Sequence, residues 1–194
     1  MGVENNFEHV KDKEIKNPEI PKPAEIPKST EIPYNPDLKI DAEGWGRIPR
    51  TKGEWSETPG DSTWNPDKQE IPGDRNGTNP EGKTWGEILA DKGIDGIPFK
   101  DNQPDFSEIA KGEVEIDDFS DKRIDNFNQA DEKMAEQRGC TPEEVDQWRE
   151  ENGYTWHECP DCKTMQKVPT EVHGNIPHSG GISVYKQLEK TDEA

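Results

Sequence analysis

Tyr154–Ser183, YTWHECPDCKTMQKVPTEVHGNIPHSGGIS, decides how this chain is read. These 30 residues hold His157, His173 and His178, three of the four histidines, and Cys159 and Cys162, two of the three cysteines. Tyr154, Thr155 and Trp156 favour extended backbone, so a strand over residues 154–158 is expected. Cys159-Pro160-Asp161-Cys162 reads as a turn, and Thr164 to Val168 as the returning strand. Pro169 ends that strand, and Thr170 caps a short helix that carries His173 one turn in. Gly174, Pro177 and Gly180-Gly181 then break regular structure. The outline is ββα, with His157 closing the first strand and His173 on the helix behind it. Such a unit can bring three imidazoles around one ion, and imidazole is the commonest protein ligand for transition metals.

Upstream, two amphipathic helices are expected as a brace for this unit. Ser120 begins the first, with Ile124, Phe127, Ala130 and Met134 at helical spacing and Asp125, Asp131, Glu132 and Glu136 toward water; Gly139 stops it. Thr141-Pro142-Glu143-Glu144 is a capping box with proline at the first helical position. It opens a second helix buried through Val145 and Trp148 and closed by Asn152-Gly153. Glu113-Val114-Glu115-Ile116 alternates and predicts a short strand. Residues 97–106, IPFKDNQPDF, read as a turn-rich connector, and Thr84 caps a short helix that ends near Gly93 and Gly96.

The first third is different. Between Pro18 and Asn35 a Glu-Ile-Pro unit recurs every six residues. Proline at that density removes backbone donors and favours polyproline II, so residues 1–40 are expected to be a disordered Pro-rich linker. Residues 41–84 carry Trp45, Trp55 and Trp64 among prolines without a usable period, and read as an irregular segment whose tryptophans pin loops to a core. The organised domain is expected over residues 85–190, making the chain α+β: a small helical brace, a ββα-metal unit and a disordered Pro-rich tail.

Composition constrains function. The chain has 194 residues, 27% hydrophobic against 35% charged, and a net charge of −19. That is too polar for one core to include every residue. Phosphate-binding surfaces are usually basic, yet the acidity is uneven: residues 1–140 hold 32 acids against 19 bases, and residues 141–190 hold 9 against 5. Most of the repulsion for a phosphate therefore lies away from the histidines. No apolar run approaches the ~20 residues of a membrane span, and the N-terminus lacks the apolar core of a signal peptide. An odd cysteine count argues against a disulfide framework.

Tyr-Thr-Trp-His-Glu, Thr-Met-Gln-Lys-Val-Pro, His173 and His178-Ser-Gly-Gly together resemble the HNH (His-Me finger) nucleases. The likeness is greatest to the Trp-His-His branch found as C-terminal toxin modules of bacterial polymorphic toxins. Pro104-Asp105-Phe106, Arg123, Asn126-Phe127 and Ala130-Asp131 resemble the leader of such modules. The resemblance covers about residues 95–190 and implies metal-dependent cleavage of a nucleic-acid phosphodiester, DNA before RNA, through one divalent ion such as Mg2+, Mn2+ or Zn2+. It also implies a bacterial toxin held in its producer's cytoplasm, delivered to target cells and matched by a cognate immunity protein. His157, His173 and His178 fall at the metal-ligand positions. Glu158 falls at the general-base position, where the family usually has a second histidine. Two assignments stay open: a Glu158 base with a raised pKa, or a His157 base with Glu158 on the metal. Thr164 stands near a position often occupied by Asn and is expected to orient the hairpin loop.

The alternative is a non-catalytic, zinc-stabilised protein-binding module. Cys159 and Cys162 have the spacing of half a structural zinc site, which His173 and His178 could complete; a plain hairpin turn is the simpler reading. The carboxylate of Glu158 beside His157 discriminates, because a structural zinc site has no use for it.

Overall fold

Local capping chemistry sets the helices. Thr84 accepts from the backbone N–H of Glu87, whose carboxylate returns the bond to the Thr84 N–H, starting α1, Trp85–Lys92. The same reciprocal pair between Thr141 and Glu144 starts α3, Pro142–Asn152. Each such cap stabilises its helix by about 1 kcal/mol. Gly139 ends α2, Arg123–Arg138, in the left-handed conformation that a side chain would disfavour. The computed structural model describes residues 47–73 and 77–192. The Pro-rich linker at 1–40 and Trp45 lie outside the described residues.

Two antiparallel sheets accompany these helices, and the fold is α+β. One sheet runs β1 (Gly53–Trp55), β2 (Thr63–Pro66), β3 (Ile97–Lys100), β4 (Gln103–Pro104). The other has β5 (Glu113–Glu115) and β6 (Tyr154–Glu158) on either side of β7 (Thr164–Pro169). Helix α4, Thr170–His173, follows β7 directly, completing the expected ββα unit, and α5 spans Gly181–Asp192. No helix of the described residues is long and apolar enough to cross a membrane.

Strand alternation divides the second sheet between two cores. Val114, Met165 and Trp156 face α2 and α3, packing with Ala130, Met134 and Val145. Val168 faces the other way, toward Val172, Phe106 and the aromatic cluster of Trp64 and Trp85. His157 shares that second face, and Glu158 the first.

Several expectations need correction. Residues 97–106 are not a mere connector: they form the β3–β4 hairpin, paired to β2 through Trp64↔Ile97. Residues 53–66, read as irregular, supply β1 and β2, and Trp64 is buried in the core while the Trp55 indole donates to the Pro49 carbonyl at 3.0 Å. On α2 the buried face is rotated from the apolar reading. Ile124 is 64% exposed, whereas Asn126 and Asp131 are buried. On α3 the buried partner of Val145 is Arg149 rather than Trp148, which is 39% exposed. Helix α2 starts at Arg123, and the cap of α4 is Pro169 without a side-chain bond, not Thr170. Gly180-Gly181 does not end order; it opens α5. A Cβ on Gly181 would lie 2.4 Å from the Cys159 carbonyl oxygen, so only glycine lets α5 start against the end of β6.

Candidate metal centre

Three elements converge on one point. β6 delivers His157, the last residue of α4 is His173, and the loop into α5 carries His178. The ring centroids are 5.2 Å (His157–His173), 5.1 Å (His157–His178) and 4.8 Å (His173–His178) apart. One ligand-capable atom from each ring lies within 4.8 Å of the others. His157 Nδ1 and His173 Nε2 stand 3.2 Å apart, close to the ~3.3 Å between two nitrogens that share a tetrahedral ion at about 2.0–2.1 Å. His178 Nδ1 meets the Ile176 carbonyl oxygen at 2.8 Å. A carbonyl only accepts, so Nδ1 carries the proton and Nε2 keeps a free lone pair. The donor set therefore fits a divalent transition metal.

The surroundings keep these rings neutral. Burial, then the charges of His173 and His178, hold His157 well below the usual histidine range. Burial and the neighbouring His178 push His173 down to about 3, and burial also lowers His178. A neutral imidazole is the form that binds metal. Phe106, just after β4, forms the floor: its ring centroid lies 5.1, 5.7 and 5.8 Å from those of His157, His173 and His178.

Glu158 follows His157 on the same strand and so points to the opposite face, toward α2. Asn126 donates to Glu158 Oε1 at 2.9 Å, and Arg123 Nε lies 3.5 Å from Oε2. Asn126 is itself fixed by Ser120, donating to its carbonyl and accepting from its N–H, both at 2.9 Å. Burial raises the Glu158 pKa, while Asn126 and Arg123 oppose the rise. Arg123 is exposed, and its positive charge also reaches His173 and His178.

Residues 97–180 match the family described as DNase/tRNase domain of colicin-like bacteriocin. This segment is similar to a colicin-type nuclease domain. The match contains His157, His173, His178, Glu158, Arg123 and Phe106, and it supports reading the segment as a nuclease toxin module. The resemblance to HNH-type nuclease toxin modules drawn from the sequence holds over these residues. A comparison with curated proteins finds no match.

Other residues of the colicin-DNase-like segment have different roles. Cys159 is buried and Cys162 half-buried at the β6–β7 turn, where the Cys162 thiol donates to the Gly181 carbonyl at 3.5 Å. Burial pushes both thiols up, Cys162 to about 11, so both stay protonated. Neither joins the three histidines as a donor among the described residues. Thr164 does order the turn: its hydroxyl donates to Asp161 Oδ2 at 2.6 Å. Lys163 pairs with Glu115 at 2.6 Å. Lys167 is buried with its ammonium 4.2 Å from the centroid of the Trp148 ring, and burial lowers its pKa to about 8.

Asn126, Arg123 and Phe106 were legible only as a leader pattern, without their roles. The signal for Asn126 was a polar residue one step from the apolar register of α2, close to a Ser120 able to hold it.

Proposed function

We propose that this protein is a metal-dependent endonuclease that hydrolyses phosphodiester bonds in DNA and serves as the toxin module of a bacterial toxin–immunity pair. The observation that carries the reading is the convergence of three neutral imidazoles, one with its tautomer fixed by a backbone carbonyl. His157, His173 and His178 hold the ion. When bound, a divalent metal neutralises charge on the scissile phosphate and on the leaving 3′ oxygen.

The protein's own groups do the rest. Glu158 is the general base: it accepts the proton of the attacking water, and its burial moves its pKa toward the working range of a base. Asn126 fixes one carboxylate oxygen, leaving Oε2 on the Arg123 side. Arg123, exposed beside Glu158 and with its charge felt at His173 and His178, draws a phosphate oxygen toward the centre. Phe106 excludes water from behind the rings and stops them rotating away.

A plasmid-nicking assay with Mg2+, Mn2+ or EDTA tests this directly. Cleavage supported by metal and abolished by EDTA is expected, and His157→Ala is expected to be inactive. If His157→Ala cut as well as wild type, the enzyme reading would be wrong. Running transfer RNA beside duplex DNA tests the substrate class, because the matched family description includes both DNase and tRNase. A small protein that binds the folded chain tightly and stops cleavage is the expected immunity partner, with a surface complementary to net charge −19.

A further inference from the structure

The chain ahead of the colicin-DNase-like segment shares a cleft with the residues just before His178. Arg47-Ile48-Pro49-Arg50-Thr51-Lys52 places three cations and no acid in six residues of a chain with net charge −19. The stretch is fixed in place. Ile48 is buried in the same cluster as Val168, Val172 and Ile176. The Pro49 carbonyl accepts from the Trp55 indole at 3.0 Å, and the Lys52 carbonyl from the Asp67 N–H at 2.9 Å.

Pro49, Arg50, Thr51 and Lys52 of this anchored stretch line a cleft of about 200 Å³, which Asn175, Ile176 and Pro177 also line. The latter residues lead directly into His178, and the Ile176 carbonyl is the group that sets its tautomer. Arg47 is close enough for its charge to reach His178. The cleft thus joins Arg50 and Lys52 to the residues that lead into His178. Its volume is below the roughly 300–1,000 Å³ of a pocket that encloses a whole small molecule. A passing sugar-phosphate unit is a better match. Among the described residues one acid lines the cleft: Glu70, which pairs with Lys52.

We propose that Arg47, Arg50 and Lys52 form a phosphate track for the nucleic-acid strand on the His178 side of the centre, with Glu70 holding Lys52 in reserve until a phosphate replaces it. This rests on the nuclease reading. It assigns substrate binding to residues outside the matched segment 97–180. A few well-placed cations are what an acidic nuclease needs, since each phosphate neutralised releases counterions while the remaining surface repels the duplex.

The test uses the full chain and a fluorescently labelled DNA duplex, with anisotropy in EDTA across a salt series and cleavage kinetics with metal. For the Arg47→Glu/Arg50→Glu variant, affinity is expected to fall about ten-fold or more, and the slope of log K against log salt to shrink by about two. Glu70→Gln, which frees Lys52, is expected to tighten binding by about two-fold or more, while Lys133→Glu, away from the cleft lining, leaves it nearly unchanged. A double variant that melts like wild type and binds the duplex equally well would overturn the inference, as would a Lys133→Glu variant that weakens binding as much. Should the double variant fail to fold, Glu70→Gln decides: unchanged or weaker binding overturns the track. A wild-type protein that neither binds nor cuts defeats the nuclease reading itself. Wild-type cutting with no response in these variants defeats the track alone.

Discussion

The two faces of the β5–β7–β6 sheet carry buried polar groups in opposite conditions. On the α2/α3 face they are closed on one another. Asp131 accepts two bonds from Arg149, at 2.9 and 2.6 Å, and one from the Trp156 indole at 2.8 Å. Asn126 satisfies Ser120 and Glu158 together. On the other face, three neutral histidines stand against Phe106 and Val168 with nitrogens turned toward each other. A closed polar network specifies packing; a set of lone pairs aimed at one point is what a cation requires. The metal ligands and the closed polar network are thus separated by one residue step along β6, and Glu158, held by Asn126 and Arg123, is where the network meets the proposed chemistry.

Substitutions can break that separation or sharpen it. The largest effect is expected for His173→Ala: metal-supported cleavage falls by about 100-fold or more, and added metal no longer raises the melting temperature. Asp131→Ala removes the buried partner of Arg149, leaving that guanidinium with Asp146 alone, and strands the Trp156 indole N–H. It is expected to cost about 3–5 kcal/mol in denaturant unfolding, while the folded fraction keeps its metal response. If Asp131→Ala abolished metal binding in protein shown to be folded, the two faces would be one unit.

Asn126→Ala sits between these extremes. It removes the clamp on Glu158 and is expected to cost about 1–3 kcal/mol in stability. Its kinetic signature is a lower kcat with KM nearly unchanged; a loss of stability with both constants of the folded protein unmoved would make Asn126 merely structural. A further comparison is pH. His173 titrates near 3 in the fold against an ordinary 6.5, so the unfolded chain binds the extra proton first. In metal-free protein its contribution is complete above about pH 6.5 and is lost as pH falls toward 3. A wild-type stability curve steeper than that of His173→Gln over this window is expected in denaturant titrations; parallel curves would contradict the burial of a neutral ring.

How much of this was readable depended on local pattern. β6, β7 and α4 followed from strand-forming residues and the turn between them, β5 from period-two alternation, and α3 from its capping box, each decided within a few neighbours. The three histidines were found because ligand type and ββα spacing agree. β1 to β4 were not found: strands of two to four residues interrupted by Pro66, Pro98 and Pro104 lose both the periodicity and the donors that mark a strand. The buried face of α2 was misjudged because Asn126 and Asp131 are drawn inward by Glu158, Arg149 and Trp156, partners distant in sequence. Apolar counting favours Ile124 there instead. Helix α5 was hidden behind a Gly-Gly pair that reads as a breaker, although Gly181 is needed for close approach to β6.

The most direct test of the histidine centre is anomalous scattering from a crystal soaked in zinc or manganese, with data collected at the metal's absorption edge. The account predicts one peak within about 2.0–2.3 Å of a ring nitrogen on each of His157, His173 and His178. A peak at Cys159 and Cys162 instead, or none at the three rings in a fully soaked crystal, would contradict it.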